Sequence, residues 1–203
     1  MYQYLDELLA KAKKKMRTEF NKLSVTGFNE LNVVNTRKVT KDMFDRLLSD
    51  NEKMYLKVAK KAYLKAGGKK EEPDEKWLLA ALAAFCLVTG YLYKSEAERK
   101  RLRLNEQILT AREYSDRQMY DNSIRRTASL WYTQTAQYGI EITDRATLKA
   151  YKDMGVKKVR WVAVCDDRAC KECKSRHGEI YDIDKVPGKT HYGCRCYLEP
   201  VKE

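Results

Sequence analysis

The chain has 203 residues, 41 of them Lys or Arg and 29 Asp or Glu, for a formal charge of +12; 34% of residues are charged and 43% hydrophobic. Nine Gly and three Pro exclude a collagen-like or Pro/Gly-rich disordered chain, and the apolar share supports a real core in a soluble, basic protein of one or two domains. The N-terminal MYQYLDELLAKAKKKMR has an acidic pair and a Lys run where a secretory signal needs a basic start and an apolar middle, so the expected compartment is a reducing cytosol.

In chain order, Leu5, Leu8, Leu9, Ala12, Met16, Phe20 and Leu23 fall on one helical stripe, with Lys11, Lys13, Lys14, Lys15 and Arg17 on the others. The spacing predicts an amphipathic helix over 3–23 with a basic face. The following SVTGFNELNVVNTRKVT mixes Gly, Asn and Thr with short apolar runs, and a second helix is expected to start after Thr40 as N-cap and stop at Gly67 and Gly68. GGKKEEPDE then reads as a charged linker. Residues 77–93 carry no charge and touch the lower length limit of a membrane span; Ala richness and dense flanking charge favour a buried central helix. Ser95 is expected to cap the next helix, and Ser115 with Gln118 to open a further one reaching Gly139. A short helix is expected from Thr143 to Met154, stopped by Gly155. The period then changes to two in KKVRWVAV, a strand, with further short strands at EIYDI and CYLEPV. The predicted class is α+β: a predominantly helical body with a small C-terminal β-rich, zinc-knuckle-like module. Three regions are expected: a basic helical region at 1–68, a central helical region at 74–155, and a Cys/His β module at 156–203.

Charge and cysteine are distributed oppositely. Residues 160–203 hold 9 Lys plus Arg against 8 Asp plus Glu, so +11 of the +12 belongs to residues 1–159. Cys86 stands alone in the long N-terminal part, whereas Cys165, Cys170, Cys173, Cys194 and Cys196 crowd the tail. Cys170-x2-Cys173, then His191-x2-Cys194-x-Cys196, places soft ligands on two turns that can close a tetrahedral Zn²⁺ site from opposite sides. The expected ligands are Cys170, Cys173, His191 and Cys194, with Cys196 as substitute; a disulfide between the turns and metal-free thiols are the alternatives. A Cys/His set without a carboxylate reads as a structural metal rather than a catalytic one.

With two histidines in the chain, enzymatic schemes are hard to assemble. A zinc-dependent nuclease would need His177 as base, with Asp182 and Asp184 as metal carboxylates; the plainer reading makes Arg176, His177 and Gly178 the turn before the second strand. The basic surplus with interleaved Tyr and Trp suits a phosphate backbone contacted without base reading, and an acidic protein surface would explain it equally well. A zinc-ribbon nucleic-acid-binding protein is therefore a rival reading.

Taken together, YLYKSEAERKRLRLNEQ, SIRRTA, VRWVAVCDDRACKECKSRHGEIYDIDKVP and THYGCRCYLEPV resemble the phage minor head protein family, also called the head morphogenesis or Mu F-like family, over about residues 90–201. The resemblance implies a minor structural protein of a tailed-phage or prophage head, with no catalytic residues and no small-molecule substrate. Its implied partners are portal and capsid proteins and, without sequence preference, DNA, with no membrane; its implied place is the virion head interior, after assembly in the bacterial cytoplasm. The Cys/His positions carry over as the family's metal-knuckle motif. Some relatives carry a fused toxin or enzyme domain, which is not expected after the motif here.

Overall fold

The computed structural model describes residues 3–30, 32–69, 91–165, 169–189 and 194–201. They form α1 (Gln3–Glu30), α2 (Val33–Lys65), α3 (Tyr91–Glu113), α4 (Arg117–Asp153), β1 (Lys158–Val162), α5 (Lys171–Ser175), β2 (Ile180–Asp182) and β3 (Tyr197–Pro200). The class is the expected α+β, with long helices followed by a small antiparallel sheet. The buried central helix expected over 77–93, and most of the linker before it, lie outside the described residues. No described helix is long and apolar enough to cross a membrane. The backbone clusters into two units, one of residues Glu7–Met54 and Leu79–Thr135 and the other of Met1–Asp6, Tyr55–Leu78 and Ala136–Glu203.

The first unit is helical. The apolar stripe read on α1 is its buried face: Leu9, Met16, Phe20 and Leu23 are buried, and Lys11, Lys13, Lys14, Lys15 and Arg17 are exposed. Phe44 of α2 meets the Phe20 ring edge-on at 6.3 Å and the Trp131 ring of α4 at 5.4 Å, an arrangement that suits the ring quadrupoles. Three polar side chains caught in this core illustrate how its hydrogen bonds are made. Thr40 donates to Asn105 Oδ1, Asn51 Nδ2 donates to Thr135 Oγ1 at 3.1 Å, and the Tyr120 hydroxyl donates to the Leu23 carbonyl at 2.6 Å.

Helix boundaries depart from the sequence reading at four places. α1 continues through Gly27 to Glu30, and α2 opens at Val33 with Asn32 as its cap, its Oδ1 accepting the Asn35 N–H at 2.9 Å. Thr40 lies inside α2 with its hydroxyl turned back to the Thr36 carbonyl at 2.8 Å, a bond that competes with its use as a cap. Ser95 lies inside α3. Asp116, not Ser115, caps α4: its Oδ1 accepts the Met119 N–H at 2.7 Å, while Ser115 takes a left-handed φ of 53° in the turn. α4 also passes through Gly139 without a break, so the two helices expected on either side of it are one of 37 residues. One glycine in a helix costs about 1 kcal/mol, which the burial around it outweighs.

The second unit holds the sheet. Gly67, at φ +95°, ends α2, and Gly155, at φ +79°, ends α4. β1 is the central strand of the order β2-β1-β3, antiparallel to both neighbours, pairing Arg160 with Ile180 on one side and Trp161 with Leu198 on the other. All three strands fall where the period-two pattern put them.

Burial pushes the Tyr120 phenol up to about 12, against the opposing pull of Arg117. A phenol whose pKa rises on folding stabilises the fold fully below its unfolded value near 10 and loses that contribution as pH climbs through its folded value. The helical unit should therefore weaken between about pH 10 and 12. Tyr120→Phe should cost about 1 kcal/mol at neutral pH and flatten that alkaline loss, read by denaturant titration across the range.

Candidate metal centre

The site is built on alternation in two strands and one turn of helix. In β1, Val159 and Trp161 point inward while Lys158 and Arg160 point out. Cys194, Cys196 and Leu198 repeat the same period of two into β3, so all three are buried. Cys173 comes from α5, whose N-cap is Cys170; the Cys170 sulfur accepts the Cys173 N–H at 3.3 Å. Cys173, Cys194 and Cys196 thus sit in one core with Tyr151, Val159, Trp161, Ala163, Ile183 and Leu198.

Several contacts fix the surrounding loops. The Arg176 guanidinium lies over the Trp161 ring at 5.3 Å, pairs with Glu172 at 2.6 Å and donates to the Gly188 carbonyl at 3.1 Å, so one side chain joins α5, β1 and the loop before Cys194. Gly178, at φ +84°, turns the chain so that its N–H donates to the Trp161 carbonyl at 2.8 Å. His177 Nδ1 accepts the Ala163 N–H at 3.1 Å. Lys189, only 5% exposed, pairs with Asp144 of α4 at 2.7 Å, and the Tyr151 hydroxyl donates to the Leu198 carbonyl at 3.2 Å.

The three buried sulfurs lie within 4.8 Å of one another, and the Cys173 and Cys194 sulfurs are 3.6 Å apart. A disulfide needs about 2.05 Å, whereas thiolates on a tetrahedral zinc at about 2.3 Å stand roughly 3.8 Å apart. The spacing therefore fits a shared metal. Burial pushes the Cys173 thiol up, helped by the Cys170, Cys196 and Cys194 side chains beside it. Burial likewise raises Cys194, against the pull of the Lys189 charge. Three sulfurs 1–3% exposed in apolar surroundings are costly as bare thiolates, and a divalent cation supplies the charge that reverses that cost. A donor set of buried sulfurs with no carboxylate suits a structural metal once a fourth protein ligand completes it.

Of the residues expected as ligands, Cys173 and Cys194 are brought together, Cys196 joins them, and Cys170 stands next to Cys173 as the cap of α5. His191 lies outside the described residues. Cys165 is exposed. The residues considered for a nuclease are engaged elsewhere: His177 accepts a backbone N–H, Asp182 pairs with Lys185 at 3.7 Å, and Asp184 pairs with Lys152. Arg176, Lys189 and Asp144 were not legible as parts of the site, because their contacts join segments distant in sequence. The one sequence signal was Lys189 standing in the turn before the last cysteine pair.

Protein purified under reducing conditions without chelator should contain about one zinc per chain by elemental analysis. Cys173→Ser should bring that ratio close to zero and melt the sheet module, while the helical unit keeps its cooperative far-UV transition. Full zinc content in the variant would remove Cys173 from the ligand set.

No curated protein and no solved structure matches this chain. The family model described as Phage Mu protein F like protein matches residues 95–199, a span that takes in nearly all of α3, all of α4, nearly all of the sheet and the cysteine cluster. That is just over half of the chain, and the family is one of structural phage head proteins. With a helical body and a small sheet closed around buried cysteines, the chain belongs to the Phage Mu F-like protein family.

Proposed function

We propose that this chain is a minor structural protein of a tailed-phage or prophage head, associating with portal and capsid subunits and with packaged DNA during head morphogenesis and DNA delivery. The observation that carries this reading is the family match over residues 95–199, which contains Cys173, Cys194 and Cys196 and nearly all of the sheet around them. The chemistry of that module supports a non-enzymatic role: the sulfurs of Cys173, Cys194 and Cys196 are buried, and His177 Nδ1 is occupied by the Ala163 N–H. Cys173, Cys194 and Cys196 would hold a structural zinc, with Cys170 or His191 completing the four. The metal would fix the pairing of strands three to five residues long, which burial alone stabilises poorly.

In this reading residues 1–68 supply the basic helical region, 74–155 the central one, and 156–203 the Cys/His module. The exposed Lys11, Lys13, Lys14 and Arg17 of α1 give a charged face suited to phosphates, and contact would be salt-dependent and without sequence preference. The resulting location is the interior of the virion head.

Quantitative mass spectrometry of purified heads should find the chain in far fewer copies than the major capsid subunit. The portal protein encoded by the same genome should be retained on the immobilised full-length chain. Absence from heads, together with no portal retention, would overturn the reading.

A further inference from the structure

We propose that the cleft between α1 and α4 in the helical unit seats a phosphodiester backbone, held by Lys13, Arg17 and Arg125. The cleft has a volume of about 700 Å³, with Lys13, Arg17 and Asn21 on the α1 wall and Arg125, Ser129 and Tyr132 on the α4 wall. Among the described residues, none of the three cations has a carboxylate within ion-pair distance; Arg125 donates to the Asn122 amide oxygen at 2.8 Å. The one acid lining the cleft, Asp121, is already engaged, accepting from the Ser24 hydroxyl at 2.9 Å and from Arg117 Nε at 3.1 Å. Its charge is thus offset, and the cations set the sign of the cleft.

Lys13 lies over the Tyr132 ring at 4.5 Å, which holds its ammonium at the cleft rather than leaving it free in water. Lys13 and Arg17 are one helical turn apart, about 6 Å of rise, on the order of the distance between neighbouring phosphates along a strand. The donors argue for a polyanion: the walls offer three cations, an amide and hydroxyls against a single acid that is already engaged. Phosphate oxygens take that set of donors, and no base-reading group is needed.

This inference rests on the reading that DNA is among the contacts of the chain, and the experiment separates the two. Full-length protein in reducing, zinc-containing buffer is titrated against a labelled oligonucleotide, as a single strand and as a duplex, from about 50 to 200 mM salt. Lys13→Gln/Arg17→Gln/Arg125→Gln is compared with Lys53→Gln/Lys57→Gln/Lys61→Gln, an equal loss of charge from exposed positions of α2, both checked for folding by circular dichroism. The cleft variant should bind at least about tenfold more weakly at low salt, with the slope of log K against log salt reduced by about 2–3, and the α2 variant should change far less. Tighter binding of the single strand would mean that a lone strand lies in the cleft; tighter binding of the duplex would mean that it grips one ridge of the double helix. Equal losses in the two variants, or an unchanged cleft variant, would overturn the seat while leaving DNA contact standing. No binding by the unaltered protein would overturn both. A poly-glutamate peptide that binds in a cleft-dependent way without displacing DNA would reassign the cleft to an acidic protein. Should the triple variant fail to fold, Arg125→Gln alone is read in the same way, with a slope change near one.

Discussion

Three sulfur atoms meet in the core of the C-terminal module. Cys173, Cys194 and Cys196 converge beneath Val159 and Trp161, and a sheet of three very short strands has little other means of fixing its register. Strands of this length exchange few backbone hydrogen bonds, and the core they cover has only a handful of large apolar side chains. A shared divalent metal would tie α5 to β3 through bonds far stronger than those contacts, and so determine which residues face inward. Arg176 acts in a different way, pairing with Glu172, covering the Trp161 ring and donating to the Gly188 carbonyl, so that one side chain joins three segments of the module.

The helical unit rests on burial instead. Phe20, Phe44 and Trp131 form a run of edge-on rings through its middle, and two pairs of polar side chains enclosed near them, Thr40 with Asn105 and Asn51 with Thr135, bond to each other. With the interior closed in this way, the Lys and Arg surplus is left for the outside. Part of it is used locally, as in the pairs of Arg46 with Glu19 and Lys15 with Asp50, which fasten α1 to α2. Such exposed pairs contribute little each. Lys13 and Arg17 of α1 and Arg125 of α4 have no carboxylate within ion-pair distance among the described residues and line one cleft.

These two constructions suit membership of a phage head family. A head protein acting by contact, as proposed, would need a stable scaffold and a charged exterior, and the buried cysteines lie in the core of the sheet module. The family match begins within α3, so the basic α1 and α2 precede the segment that relatives share.

Much of this was legible in the sequence. The strand patterns located all three strands, the i, i+3, i+4 stripe identified the buried face of α1, and the spacing of Cys170, Cys173, His191, Cys194 and Cys196 marked the segment in which Cys173, Cys194 and Cys196 cluster. These patterns are local, set by backbone geometry and by the need to bury one face. Helix ends were less legible, because Asn32 and Asp116 compete with equally plausible neighbours, Thr40 and Ser115, and the choice depends on which hydroxyl is claimed by a distant partner or an i−4 carbonyl. Gly139 is passed over for a similar reason: burial along α4 outweighs a local preference to stop. The tertiary structure alone decided that Cys196 stands with Cys173 and Cys194, that Lys189 meets Asp144, that Arg176 covers Trp161, and that Lys13 and Arg125 share a cleft. Sequence fixes what each residue can do over a few positions, whereas these contacts join segments 15 to more than 100 residues apart, and only the folded chain brings such segments within reach.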